Sequence, residues 1–216
     1  MMRHRRRRRR RVFLNAPFDS KFKPILDAIV FAVLDCGCNV HCALEASDSG
    51  EWRMDKICAL IEACDFGVHD ISRVEPDGRP PLPRFNMPLE LGLFMGARRF
   101  GGRRHRAKKS LVLDELPHRY KRSCSDLAGC DISAHHGSPD RAIVAVRNWM
   151  SNQLSSPNYN IPGPDTMVRR YRSFVAALPK MCRLRNTSIR ALTFLEYRLY
   201  AAGWIAAESK RKSIVG

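Results

Sequence analysis

No uninterrupted apolar run in these 216 residues approaches the roughly 18 that a membrane-crossing helix needs. The expectation is a chain without a membrane span. The basic N-terminus is not followed by a pure apolar stretch, because Asp19, Lys21 and Lys23 interrupt it, so a cytoplasmic protein is expected rather than a secreted one. The chain also has no Walker-type phosphate loop, no Gly-x-Gly-x-x-Gly turn and no Ser-His-Asp set. No internal repeat of useful length occurs, which excludes a solenoid.

Acidic residues are few: 21 against 38 Lys and Arg, a formal charge of +17. Arg3 and the run Arg5 to Arg11 supply eight of these charges, leaving about +9 for the rest. An arginine block repels itself, so residues 1–10 read as a disordered basic arm. The arm either grips nucleic acid without sequence preference, lies on a membrane surface, or is an extension upstream of the folded part. Further basic clusters stand at Arg98-Arg99, Arg103-Arg104-His105-Arg106 and Lys108-Lys109, and suit phosphate-bearing ligands.

Hydrophobic residues make up 44% of the chain, enough for a globular core. The eight cysteines (36, 38, 42, 58, 64, 124, 130, 182) sit mostly inside apolar patterns and read as small buried hydrophobes. Cys36-Gly37-Cys38-Asn39-Val40-His41-Cys42 invites a metal reading. It crosses a helix end and a strand, where neighbouring side chains point to opposite faces, so no metal is assigned.

Strands and helices alternate along the chain. Val12 to Leu14 is a buried first strand ended by Asn15-Ala16-Pro17. Phe22 to Cys36 carries apolar residues at helical spacing over a wide face, and Gly37 ends that helix. Val40 to Leu44 is a second strand. Met54, Ile57, Cys58, Ile61 and Cys64 share a face of a second helix, capped from the run Ser47 to Glu51. Phe66 to Ile71 is a third strand, and Ile71 to Asn86 a long loop rich in proline and arginine. The next helix is expected to take Asn86 as its cap, Pro88 just inside and Glu90 in its first turn, and to run out near Gly101-Gly102. Ser110 to Leu113 and Asp131 to Ser133 are strands, and Ala142 to Leu154 is a helix. Residues 155–163 read as a linker. Residues 164–216 form a helical segment, with helices over Met167 to Leu178 and Phe194 to Ile205, the second capped from Ser188 to Thr193. Arg169, Arg170 and Arg172 stand opposite its apolar face. These roughly 50 residues are too few for a core of their own, so they dock on the rest or form a dimer surface.

The expected fold is α/β and flavodoxin-like: a mostly parallel five-stranded sheet over residues 11–154, helices on both faces, and a small C-terminal helical appendage. Ligands in such folds bind outside the carboxyl ends of the strands. Asn15 to Asp19, Glu45 to Asp48 and Asp70 to Arg73 collect at that edge, and the Glu90 helix leaves it.

The line Val12-Phe13-Leu14-Asn15-Ala16-Pro17-Phe18, with Asp70 after a strand and then Asn86 and Glu90-Leu91-Gly92, resembles the nucleoside 2-deoxyribosyltransferase-like and Toll/interleukin-1-receptor-like (TIR-like) superfamily. Within it, the chain looks like a bacterial group with a short helical C-terminus. The resemblance covers residues 11–150 and implies cleavage of N-glycosidic bonds, with a role in bacterial stress or antiphage defence. It implies that Glu90 is the nucleophile of a Glu-x-Gly pattern, that Asp70 orients sugar or base, and that Asn15, Pro17 and Phe18 contact the ligand. The transferases carry a small turn before the glutamate. Pro83-Arg84-Phe85-Asn86-Met87-Pro88 is bulkier and basic, which suits a phosphorylated ligand.

The chemistry stands without the family. Cleaving an N-glycosidic bond passes through an oxocarbenium-like state, which a fixed carboxylate stabilises or attacks. Glu90 and Asp70 are the candidate catalytic residues. Asn15, Pro17, Phe18, Asp19, Arg73, Arg84 and Asn86 are the candidate binding residues, the arginines for phosphates and Phe18 for a base or nicotinamide. The plainer alternatives are a first-turn dipole acid at Glu90, a turn cap at Asp70, solvated arginines and a core anchor at Phe18. His135-His136 reads as a polar turn. NAD or a nucleotide is then substrate or ligand rather than cofactor, and a second copy of the chain is a candidate partner. A different class stays open: a nucleotide-sensing or nucleic-acid-associated module without catalysis.

Overall fold

The computed structural model describes residues 9–45, 48, 50–73, 84–154 and 160–215, with side chains described as far as residue 211. The arginines before Arg9, the expected cap Ser47, most of the proline-rich loop and the first half of the linker lie outside the described residues.

Five strands, β1 (Arg11–Asn15), β2 (Asn39–His41), β3 (Phe66–Asp70), β4 (Lys109–Asp114) and β5 (Ile132–Ala134), form one sheet. Its order is β2-β1-β3-β4-β5, and every pair is parallel. This is the flavodoxin-like order, whose direction reverses between β1 and β3. The described residues also form seven helices: α1 (Lys23–Asp35), α2 (Arg53–Ala63), α3 (Asn86–Phe100), α4 (Arg103–Arg106), α5 (Pro139–Gln153), α6 (Pro164–Arg183) and α7 (Phe194–Val215).

Strand alternation sorts the core into two layers. Val12, Leu14, Val68, Leu111 and Leu113 face α1 and α5 in the main cluster. Phe13 faces the other way, with Ile57 and Ile61 of α2 and Phe94 of α3. Val112 joins Met87 and Leu91 on that second side.

α1 buries ten of its 13 residues, more than one face can. The reason lies in the last two helices, which cover its outer side. Phe31 packs on Tyr171, Phe174 and Trp204, with ring centroids 5.4 to 6.0 Å apart. Arg170 of α6 donates to both oxygens of Asp35 at 3.0 and 2.8 Å. Arg170 is therefore not solvated, contrary to the sequence expectation, whereas Arg169 keeps its exposed place. The C-terminal helices are a third layer of the same core, which is the docking alternative for residues 164–216. No helix among the described residues is long and apolar enough to cross a membrane.

Local chemistry explains the ends. Gly37 takes φ +79°, the left-handed conformation that closes α1, and Cys38 N–H returns to Val33 O at 3.2 Å. Thr193 and Glu196 form a reciprocal capping box: Glu196 N–H donates to Thr193 Oγ1 at 3.2 Å, and Thr193 N–H to Glu196 Oε2 at 2.8 Å. α2 starts behind Trp52, which offers no side-chain cap, so the expected polar cap is not used. α3 starts one residue early. Phe85 holds its cap position, and Asn86 is an exposed first helical residue. Glu90 is consequently the fifth residue of α3, outside the first turn. Arg10, counted with the arm, belongs to the fold: its carbonyl accepts from Asn39 N–H at 2.9 Å and its guanidinium meets Asp65 at 3.2 Å.

Candidate functional site

The carboxyl edge of the sheet carries three groups of polar side chains, set by which face each strand end presents. β3 ends His69-Asp70, and consecutive strand residues point oppositely. His69 looks toward α2 and α3, with its ring 5.8 Å from Phe13 and 5.0 Å from Phe94. Asp70 looks toward β5.

The first group surrounds Asn15, the last residue of β1 and 2% exposed. Its amide donates to Met87 O at 2.8 Å, which ties β1 to the start of α3. The same amide lies 3.2 Å from His69 Nδ1, which therefore accepts and leaves the ring proton on Nε2. That Nε2 finds no partner among the described residues. Burial holds the imidazole neutral, pulling its pKa down to about 3. Gly67 makes room for the ring, since a Cβ there would stand 2.4 Å from Nε2.

Glu90 reaches the edge from the same side and is 6% exposed. Its cation partner is Arg53 of α2, at 3.9 Å. Burial raises its pKa, and Arg53 opposes that only in part. A buried carboxylate so weakly compensated is unlike a dipole acid in water. It also lies outside the first turn, which removes the helix-dipole reading.

The second group is Asp19, Arg73 and Arg84. Asp19 Oδ1 accepts from Phe22 N–H at 3.1 Å and from Arg73 Nη2 at 3.2 Å, and Arg84 Nη1 lies 3.6 Å from Oδ2. Burial pushes the Asp19 carboxyl up, but the Phe22 amide and the two arginines outweigh it and leave its pKa lowered. Loops after β1 and β3 and the approach to α3 thus converge over the β1/β3 reversal. Pro17 is buried beneath them, and Phe18 is half-buried against the main core, the anchor reading of that residue.

The third group joins Asp70 to His135 and Ser72, partners that the sequence does not connect with it. Asp70, fully buried, accepts from Ser72 N–H at 2.9 Å through Oδ1, while Oδ2 lies 3.1 Å from His135 Nε2. Gly137 N–H donates to His135 Nδ1 at 3.1 Å, so the ring proton sits on Nε2, 3.0 Å from Ser72 Oγ. His135 is 1% exposed and belongs to this cluster; the polar-turn reading of it is corrected. Asp114 at the end of β4 pairs with Arg119 and accepts from Glu115 N–H at 2.7 Å. Burial raises the Asp114 pKa against the pull of Arg119. Arg119 also donates to Ser72 O at 2.5 Å. One sequence signal was available: β3 and β4 are both apolar runs that end in Asp, Asp70 and Asp114.

The structure therefore brings Asp19, Arg73 and Arg84 together, and Asn15 with the start of the Glu90 helix. Among the described residues no hydrogen bond or ion pair joins Glu90 to Asp70. Glu90 works from the α3 side of the edge and Asp70 from the β5 side.

No protein-family model matches this chain, and no curated protein matches it.

Proposed function

We propose that the carboxyl edge of the β1/β3 reversal binds a phosphorylated nucleoside, NAD-like or mononucleotide, and that Glu90 promotes hydrolysis of its N-glycosidic bond, water adding to the anomeric carbon as the base departs. The observation that carries this reading is Glu90 itself: a buried acid at the ligand edge of the sheet, with one cation partner 3.9 Å away. A desolvated carboxylate with weak compensation gains most from positive charge that develops only in the transition state. An oxocarbenium-like sugar supplies that charge. Asn15 fixes the start of α3 through Met87 O and so holds Glu90 in place.

Arg73 and Arg84 supply the phosphate contact by exchanging Asp19 for the ligand's oxygens. Asp70 is engaged with Ser72 and His135 and serves as an orienting residue. The resemblance to deoxyribosyltransferase-like and TIR-like proteins supports the same assignment and its setting in bacterial stress or antiphage defence.

The Asp19 cluster also favours a second reading. Two arginines held by one carboxylate form a ready exchange switch, as a nucleotide-sensing module without catalysis would need. Incubation with NAD, nucleoside 5′-phosphates and nucleosides separates the two, with base release read by chromatography. The enzyme releases base from phosphorylated substrates faster than from nucleosides, and Arg73→Ala narrows that preference about tenfold. Saturable nucleotide binding with no base released would establish the sensing module instead.

A further inference from the structure

The sheet is incompletely paired at its β5 side. The β4–β5 ladder starts at Val112↔Ile132, whereas β4 itself starts at Lys109. Lys109, Ser110 and Leu111 therefore have no strand beside them on that side. Asp114 O accepts from His135 N–H on the β5 side, and Leu113 O accepts from Ile71 N–H on the β3 side. By alternation the peptide groups of Ser110 point to the open side.

A groove of about 950 Å³ runs along this gap. Met95, Arg98 and Arg99 of α3 form one wall at i, i+3, i+4 spacing, and Arg106 of α4 joins them. Trp149 of α5 lines the other side, its ring anchored edge-on against Phe66 at 5.7 Å. Asp131 is the acid in the lining. Among the described residues no acid pairs with Arg98 or Arg99. At the end of the same helix Phe100 is 85% exposed.

Ser110, Leu111 and Val112 of the lining stand level with Phe13, Leu14 and Asn15 of β1 through the β1–β3–β4 register, while Arg98 and Arg99 at the end of α3 and Arg106 just before β4 extend the groove toward the amino edge. Arg10 and Arg11 lead into β1 at the amino edge. The acids Asp70, Glu90 and Asp114 stand at the opposite one. None of Asp70, Glu90 and Asp114 lines the groove, which is separate from the site proposed above.

We propose that this groove binds single-stranded nucleic acid without sequence preference. The guanidinium groups of Arg98 and Arg99 take the phosphates, the Ser110 peptide group on the open side adds a neutral donor, and the Trp149 indole stacks on a base. A basic groove with an aromatic platform is the arrangement that strand-tracking proteins use. Duplex DNA cannot present a base face to Trp149, so the single strand is the favoured occupant.

The test is fluorescence anisotropy of labelled 12-nucleotide oligouridine and oligothymidine with the full chain across salt concentrations. Arg98→Gln/Arg99→Gln is expected to bind at least tenfold more weakly. Its log–log salt slope should be shallower by about 1.4, two phosphates at ~0.7 each on a single strand. Both residues are exposed on a helix end, so the melting temperature stays within a few degrees of wild type. Photocrosslinking with 5-iodouridine oligomers should attach to Trp149, and Trp149→Leu should lose the crosslink. Unchanged affinity and slope in the double variant, or crosslinks confined to residues 1–11, would assign all binding to the arginine run and overturn the proposal. Equal competition by polyglutamate would overturn it too, as the sign of a site for any polyanion.

Discussion

Glu90 and His69 show how one sheet edge gives two buried groups different characters. Both are desolvated, and burial moves the two groups in opposite directions, the His69 pKa down and the Glu90 pKa up. Glu90→Gln should therefore melt no lower than wild type, because it removes a poorly compensated buried charge and keeps the shape. A drop of several degrees would mark Glu90 as a structural partner of Arg53. His69 makes a pH prediction. Its folded pKa of about 3 lies below the ordinary 6.5, so its contribution to stability is complete above pH 6.5 and is lost as pH falls toward 3. Between pH 7 and pH 5 wild type should lose about 2 kcal/mol that His69→Phe does not, read from urea melts at each pH. Residue types were legible for Asn15, Asp19, Asp70 and Glu90, because acids and amides at strand ends stand out in an apolar pattern. His69 and His135 were hidden. A histidine inside an apolar run carries no mark of whether it packs or ligates, and only the tertiary partners decide.

At the scale of elements, α1 and α3 differ in how much the chain announces them. α1 is a dense apolar repeat with Gly37 at its end, and its bounds followed from that pattern. α3 was legible in its body and misread at its start, since Phe85 rather than Asn86 holds the cap position. Tertiary packing of Met87 and Leu91 fixes the start of α3, which overrides the local preference for a polar cap. Lys108 is another case. Its neighbours read as one basic surface cluster, yet it is 1% exposed and donates to the carbonyls of Ile61 at 2.7 Å and of Cys64, closing the end of α2. Lys108→Met should cost about 2–3 kcal/mol in equilibrium unfolding, because it leaves those carbonyls unpaired in the interior. A cost below 0.5 kcal/mol would show that water reaches them. Phe31→Ala should cost about 3–5 kcal/mol, as it empties the aromatic cluster between α1, α6 and α7.

Over the whole molecule, the sheet divides the core, and the third helical layer extends the cluster on the α1 and α5 side. The alternation of patterns predicted the parallel sheet. It could not say whether residues 164–216 dock or dimerise, because an amphipathic helix presents the same stripe to either partner. Removal of residues 161–216 should leave a chain that does not reach a cooperative fold, since the outer faces of Phe31 and Tyr171's partners on α1 would lie open to water. A sharp thermal transition in that truncation would mean that the α/β layer is self-sufficient. The account's central claim is catalysis by a buried acid at the carboxyl edge. The most direct measurement of it compares wild type and Glu90→Gln side by side for base release from NAD and nucleoside 5′-phosphates. The account predicts base release by wild type and a loss of at least a thousandfold in Glu90→Gln at an unchanged melting temperature. Equal rates for the two proteins would contradict it.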